Sequence, residues 1–394
     1  MNALAFIPFF VDSTKPENPA HSSALDSNMP LTCIGRALRE LDTPALCVDL
    51  AALESNLATV SAIVRDSGKG WRPHQKCPKT PAVAWKMLRA GAFGVTVAKV
   101  SEAEVLSAAG IQDILLAHMP VGHGRVERIA GLCGDATPVV ACDHFAQAEP
   151  LAAACRRRGV VCRAIVDVNV GLNRTGVRPG RDALELAQAI DRLEGLKLVG
   201  VMGYEGHLMP VADPAEKIPR VQSALQSLEL ARDQFREAGL CCEIVSAGGT
   251  GTLNAAAHCP AITEWQAGGG VFGDPFYTDN CGQIGLKPSL SILATVVSRP
   301  NLDRAVLDAG RKTYANDPCP ARLRGLPDAK VIMHSAEHST LELGPESQAL
   351  RIGDQVEILV GYGDFTTMLH DEMHAIRNGH VEAVWPLWGR GKLQ

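Results

Sequence analysis

Between residues 43 and 284 the chain repeats one unit: a short apolar run rich in Val and Ile, then a longer segment of helical period. After an opening run at Cys47–Leu50, the runs are Gly70–Lys76, Gly94–Lys99, Asp113–His118, Pro138–Asp143, Cys162–Asn169, Lys197–Tyr204, Glu243–Ala247 and Glu264–Val271. The segments Pro81–Ala90, Glu102–Ala109, Gly124–Leu132, Phe145–Arg158, Asp182–Arg192 and Ala215–Ala238 read as helices. The first has Thr80 as N-cap and Pro81 at the first helical position, where a missing N–H costs nothing. Near-continuous apolar strands separated by helices are what a parallel sheet covered on its outer face requires. Eight such units over about 230 residues predict a (β/α)8 TIM-type barrel.

Past about residue 285 the texture changes to short strand-like runs between turn clusters, with no helix of any length. The runs are Leu290–Val297, Arg304–Asp308, Ala329–His334, Ser339–Leu343, Gln355–Val360, Met373–Arg377 and His380–Val384, which predicts a smaller all-β domain. The expected organisation is a poorly ordered leader over 1–42, a barrel domain over 43–284 whose residues 43–51 are free to pair with the β domain, and that β domain over 285–394. The total of 394 residues, 46% apolar, suits one large barrel with an appendage.

Charge narrows the function. There are 38 Lys plus Arg against 43 Asp plus Glu, a net charge of −5, and no basic run suited to a phosphate backbone, so nucleic acid is excluded as a partner. No apolar stretch approaches the ~18–20 residues of a membrane span, and the Leu4–Val11 patch lacks a preceding cation, so neither a membrane partner nor a signal peptide is expected. Twelve Cys without a CxxC pair read as reduced thiols in a cytoplasmic protein, with Cys241 and Cys242 as buried filler rather than a redox pair.

In such a barrel reactive groups stand at the C-terminal ends of the strands. The run Trp71-Arg72-Pro73-His74-Gln75-Lys76 puts Lys76 at the mouth, where desolvation can turn an amine into a nucleophile. A solvated lysine leading into a helix is the alternative, and Lys79 keeps it. Arg174, in Asn173-Arg174-Thr175-Gly176, offers a planar donor array for a phenolate, carboxylate or phosphate, or is a surface-loop arginine. Tyr204 and His207, in Tyr204-Glu205-Gly206-His207, bring a phenol and an imidazole to the rim, the latter a general base or a structural cap. After the seventh run, Gly248-Gly249-Thr250-Gly251-Thr252 can aim several N–H groups at one anion where barrels commonly hold phosphate; a tight turn would use the same residues. An amine, a phosphate cradle, an arginine and a phenol around one mouth are the parts that hold pyridoxal phosphate as a Schiff base.

These motifs, with Asp42-Thr43-Pro44-Ala45-Leu46, Val100-Ser101-Glu102-Ala103-Glu104, Trp385-Pro386 and Gly389-Arg390-Gly391-Lys392, carry a resemblance. From Leu41 to Lys392 the chain resembles the D-threonine aldolase and D-serine dehydratase group of pyridoxal phosphate enzymes, whose barrel is like that of alanine racemase (fold type III). The resemblance implies that Lys76 bonds the cofactor and that Arg174 faces its pyridine ring. Tyr204 then lines the ring, Gly248, Gly249 and Thr250 hold the phosphate, and Tyr277 is a further neighbour. It implies His207 as base for the substrate's β-hydroxyl, and a homodimer. Members of the group carry His-x-Asp or His-x-Cys near the C-terminus for a divalent metal. Here Tyr362 stands in the histidine's place, leaving Asp364, with waters or with His338 or His370, as candidate for Mg²⁺, Mn²⁺ or Zn²⁺, or as a hydrogen-bonded loop residue. A neutral phenol is a poor ligand beside imidazole.

The expected activity is lyase chemistry on a small amino-acid substrate: retro-aldol cleavage of a β-hydroxy-D-amino acid to glycine and an aldehyde. The alternatives are dehydration to a 2-oxo acid and ammonia, racemisation, and cofactor carriage without catalysis.

Overall fold

The structure, a computed structural model, describes residues 33–257 and 259–394. Most of the expected leader, with the Leu4–Val11 patch, lies outside the described residues; its described end holds one 3-10 turn, Leu38–Glu40.

After β1 (Ala45–Asp49), the helix α1 (Leu50–Asp66) begins at Asp49, whose carboxylate caps it by accepting from Ala52 N–H at 3.0 Å. Its buried Leu50, Leu53, Leu57, Val60 and Val64 fall on one stripe. The sequence reading left this stretch unassigned, although its spacing is helical.

The barrel strands are β2 (Gly70–Trp71), β3 (Val95–Val97), β4 (Asp113–Leu116), β5 (Thr137–Cys142), β6 (Cys162–Asp167), β7 (Leu196–Met202), β8 (Ile244–Ala247) and β9 (Glu264–Trp265). They form one eight-stranded parallel sheet in the order β2-β9-β8-β7-β6-β5-β4-β3, closed by a single bridge between His74 and Thr96. Between them run α2 (Pro81–Arg89), α3 (Val100–Ala108), α4 (His123–Leu132), α5 (Phe145–Arg158), α6 (Arg181–Asp191) and α7 (Pro214–Glu237). Thr80 caps α2 by accepting from Ala82 N–H, with Pro81 inside the first turn.

Two strands are shorter than expected, for reasons that shape the mouth. After Trp71 the backbone still donates to the β9 side, from Arg72 and His74 N–H to the Trp265 and Gln266 carbonyls at 2.8 and 3.0 Å, but Pro73 has no N–H to give, and the chain turns so that Gln75 N–H donates to the Thr96 carbonyl at 2.7 Å. After β9 come Gly268, Gly269 and Gly270, and a Cβ on Gly268 would lie 2.1 Å from the His74 carbonyl oxygen. The loops after β2 and β9 therefore touch backbone to backbone at the mouth.

The barrel interior packs Leu115, Val139, Ala141, Ile165, Val199 and Met202. Next to this layer Arg72 donates to both oxygens of Glu264 (2.9 and 3.1 Å) and to Asp113.

The second sheet holds β10 (Leu290–Asn301), β11 (Arg304–Leu307), β12 (Arg322–Leu323), β13 (Lys330–His334), β14 (Ser339–Glu342), β15 (Gln355–Leu359), β16 (Glu372–Arg377) and β17 (His380–Pro386). Its main path is β13-β14-β11-β10-β1-β16-β17, so the first strand of the chain is central to the last sheet: β1 pairs antiparallel with β10 and parallel with β16. The protein is thus a (β/α)8 barrel followed by a smaller, mainly β domain. Between β15 and β16 one helical turn, Gly363–Thr366, reaches the barrel.

Candidate active site

Lys76 follows the turn that ends β2, and its side chain is 42% exposed, so an incoming molecule can reach the amine. Its Nζ lies 2.8 Å from Asp364 Oδ2. Burial of the surroundings works against the ammonium, but Asp364, with the phenols of Tyr362 and Tyr204 nearby, outweighs it and holds the lysine pKa above its usual value. Burial alone would raise Asp364; the Lys76 charge and the hydrogen bonds it accepts bring it below the usual carboxylate value instead.

Around this pair stand aromatic rings. Tyr362 donates its hydroxyl to Asp364 Oδ2 at 2.9 Å and packs edge-on against Phe276 and Tyr277, at centroid distances of 4.9 and 6.0 Å. Burial pushes the Tyr204 phenol up to about 12, and the Tyr277 phenol also sits well above its normal value for the same reason, so both are neutral donors at pH 7. The Arg174 guanidinium lies over the Tyr204 ring, 5.5 Å from its centroid.

Two glycine loops meet beside these phenols. A Cβ on Gly249 would come within 2.9 Å of the Tyr204 ring, and one on Gly269 within 2.5 Å of the Tyr277 hydroxyl. Gly270 N–H donates to Thr250 Oγ1 at 2.9 Å, joining the loop after β8 to the loop after β9. Gly248, at φ +80, adopts a left-handed conformation suited to glycine, and its N–H points at Glu205 Oε2, 3.3 Å away. Backbone, two phenolic hydroxyls and a threonine thus converge where any side chain on the glycines would intrude, which is the shape an anionic group needs.

The sequence-derived set divides accordingly. Lys76, Tyr204 and Asp364 act on one another, with Arg174 stacked on Tyr204, and Gly249, Thr250 and Tyr277 border the glycine cradle; Gly248 turns the loop. His207 stands on the rim in the turn Gly206–Leu208, exposed, and a Cβ on Gly171 would lie 3.1 Å from its Nε2. Burial and the Arg220 charge push its pKa below the ordinary histidine value, leaving a neutral imidazole at pH 7.

Three groups escaped the sequence reading as site residues. His74 lies in the Trp71–Lys76 motif with no role of its own in the sequence; its Nδ1 accepts from Lys76 N–H at 3.2 Å, and burial followed by the Lys76 charge drops its pKa to about 3. Lys217, in the first turn of α7, is buried and donates to the carbonyls of Met209, Gly251 and Cys281 at 2.9, 2.8 and 2.6 Å, strapping the loop after β8 from below. Nothing in a helix-start lysine signals this role. Tyr362 was read as the loss of a ligand, whereas it is a partner of Asp364.

The donor set at Asp364 does not fit a divalent ion. Its Oδ2 already accepts from an ammonium and a phenol, and burial with the Asp364 charge keeps that phenol protonated. His370 Nε2 lies 2.7 Å from the Thr313 carbonyl, His338 is exposed between β13 and β14, and no three His, Cys, Asp or Glu among the described residues are placed to hold a metal.

Comparison with known proteins agrees with this architecture. Residues 48–275 match the alanine racemase N-terminal domain family and residues 289–376 a putative serine dehydratase domain. A D-threonine aldolase of Arthrobacter sp is 33% identical over 359 residues, covering 91% of this chain and 95% of that protein. The crystal structure of D-threonine aldolase from Filomicrobium marinum superimposes with a TM-score of 0.88 at 32% identity, covering 92% of this chain and 99% of that one. A D-threo-3-hydroxyaspartate dehydratase variant, with a cysteine replaced by alanine and in its metal-free form, gives 0.80 at 26% identity, covering 89% and 98%. With a family match over more than half its length and relatives that run nearly end to end with it, the chain belongs to the alanine racemase-type lyases whose members include the D-threonine aldolases.

Proposed function

We propose that this chain cleaves the Cα–Cβ bond of a β-hydroxy-D-amino acid, giving glycine and an aldehyde, with pyridoxal phosphate carried on Lys76. The observation that carries this reading is a reachable lysine amine ringed by neutral phenols at the barrel mouth, beside a glycine cradle bordered by Tyr277 and Thr250. When bound, the cofactor supplies an electron sink for the pair left on Cα.

The residues divide the remaining work. Gly249, Thr250 and Tyr277 hold the phosphate, Gly248 gives their loop its turn, and Lys217 fixes the loop from beneath. Arg174 and Tyr204, stacked on each other, would line the cofactor's ring side. His207, neutral at pH 7, takes the proton from the substrate's β-oxygen, and the carbon–carbon bond breaks as that oxygen becomes a carbonyl. Lys76, held as an ammonium by Asp364, would deliver its proton to Cα, and the neutral amine left behind would displace glycine.

Incubating the pyridoxal phosphate-loaded protein with D-threonine and with D-serine, and identifying products, tests the reading. Glycine and acetaldehyde from D-threonine are expected; a 2-oxo acid and ammonia would replace the aldolase with a dehydratase. That second reading is favoured by the dehydratase relatives and by the serine dehydratase domain match. A change in chirality without cleavage would mean racemisation. His207→Ala is expected to keep its cofactor absorbance and lose turnover by about 10²–10⁴-fold, the usual contribution of a positioned base. Unchanged turnover in that variant would remove His207 from the chemistry.

A homodimer is part of the proposal. Phe365, 50% exposed and edge-on to Tyr362 at 5.2 Å, offers a second copy an apolar contact at the mouth. A cytoplasmic location is proposed with it; no helix among the described residues is long and apolar enough to cross a membrane.

A further inference from the structure

Asp364 is pinned against the barrel mouth by its neighbours on both sides. Gly363 N–H donates to Asp274 Oδ2 at 2.8 Å, and the Thr367 hydroxyl donates to the Cys77 carbonyl at 2.6 Å. Gly363 has no alternative here, since a Cβ would meet Cys77 Sγ at 2.9 Å. The turn that carries Asp364 is therefore fixed to the segment that carries Lys76. The carboxylate, 8% exposed, meets Lys76 Nζ at 2.8 Å through the same oxygen that accepts the Tyr362 hydroxyl at 2.9 Å. Its other oxygen, Oδ1, is buried with no hydrogen-bond partner.

A carboxylate in this setting already has its counter-ion. A divalent cation would have to displace an ammonium at contact distance, and the second group it met would be a phenol that keeps its proton. Asp274 turns its Oδ2 to the Gly363 N–H at 2.8 Å, and burial, then the Asp364 charge, raise its pKa well above the normal value. The Cys77 thiol beside Asp364 is likewise raised well above its normal value, first by burial and then by these carboxylates, and stays protonated. Every group around Asp364 is thus a donor or a neutral side chain, which is an environment made for an ammonium.

We propose that Asp364, oriented by Tyr362, is the positioning group for the Lys76 amine, and that the Lys76 ammonium takes the place of a divalent cation at this mouth. The inference deepens the function proposed above and rests on it for the role of Lys76. Whenever Lys76 is not bonded to cofactor, Asp364 keeps the nitrogen protonated and within the site rather than free on a flexible stem. The proton for Cα is then already in place, and after its transfer the neutral amine is the species that can rebond the cofactor. Tyr362 works through Asp364, spending its hydrogen on Oδ2 so that the carboxylate does not rotate away.

The test reads metal and nitrogen separately. Pyridoxal phosphate-loaded protein is dialysed against a chelator and titrated with Mn²⁺ while the spin-resonance signal of the free ion is followed. The signal is expected to grow from the first addition as it does in buffer, and turnover is expected to be the same before and after chelation. Stoichiometric Mn²⁺ uptake, or turnover lost on chelation and restored by Mn²⁺, overturns the proposal. Tyr362→His, which puts an imidazole two residues from Asp364, is expected to take up Mn²⁺; a variant that still takes up none overturns the part assigned to Tyr362. In Asp364→Asn the pH at which the loaded protein's visible absorbance changes is expected to fall by about one unit or more, since the charge favouring a protonated nitrogen is gone. Tyr362→Phe should move it part of the way. An unshifted midpoint in Asp364→Asn overturns the positioning role, and because the Mn²⁺ uptake and absorbance readings need no substrate, they fail independently of the reaction assigned above.

Discussion

Lys76→Ala is expected to fold, to show no visible absorbance from bound pyridoxal phosphate, and to lose turnover by at least about three orders of magnitude. Two losses combine in this variant. The only amine meeting Asp364 among the described residues disappears, and with it both the covalent attachment and the proton held for Cα. The carboxylate that remains is 8% exposed and without its counter-ion, so it is expected to take up a proton more readily rather than unfold the domain. Lys76→Arg separates the two contributions. It returns a positive charge to Asp364 but cannot bond the cofactor, so fold and thermal midpoint should match the parent while absorbance and turnover remain lost. A visible band in Lys76→Ala equal to that of the parent would assign the covalent bond to another lysine. Lys79 is not placed for that role, because its Nζ is tied to the buried Glu102 at 2.6 Å.

The barrel was legible because its signal is repeated: each buried strand needs Val and Ile on both faces, and each helix needs a spacing that a strand cannot use. Strand ends were less legible. Gly70–Lys76 looks like one run by composition, and Arg72 and His74 N–H still donate to the Trp265 and Gln266 carbonyls, but the regular strand ends at Trp71 and the polar residues Arg72, His74 and Lys76 serve different purposes within five positions. Arg72 turns into the barrel, His74 closes it, and Lys76 faces the mouth. The motif therefore marks the candidate site while hiding that its members are not neighbours in function.

The remainder of the site depends on contacts between segments far apart in sequence, which local patterns do not encode. Lys217 meets Gly251 and Cys281 only because α7 begins beside the loop after β8. Tyr362 is a missing ligand when compared with a motif, and a hydrogen-bond donor once Asp364 is seen turned towards Lys76. The short helix at Gly363–Thr366 also went unread in a stretch where only strands were expected, because four residues carry no period. Its position follows from Asp274, eighty-nine residues earlier, accepting the Gly363 N–H.

Arg72→Met is expected to be the most destabilising substitution in the barrel, by about 3–5 kcal/mol, because it strands charge in the interior rather than merely removing a contact. Arg72 is 2% exposed and Glu264 4%; both carboxylate oxygens of Glu264 depend on the guanidinium, at 2.9 and 3.1 Å. Asp113 is shared with Arg163 at 3.0 Å, so it keeps one partner when Arg72 is lost, and Glu264 keeps none of its ion pairs. The placement explains why the cost is structural. β2 is only two residues long and meets β3 through the His74–Thr96 bridge and a few flanking backbone hydrogen bonds, so the fork from Arg72 to the start of β9 and the start of β4 reinforces the seam where the barrel closes. Gly94 leaves room for it, since a Cβ there would come within 2.9 Å of the guanidinium. Urea unfolding followed by far-ultraviolet dichroism measures the effect, and Arg72→Met combined with Glu264→Gln supplies the control. Neutralising the stranded carboxylate should recover part of the loss, whereas equal stability of the single and double variants would mean that packing around Phe93, whose ring lies 4.5 Å below the guanidinium, is what Arg72 provides.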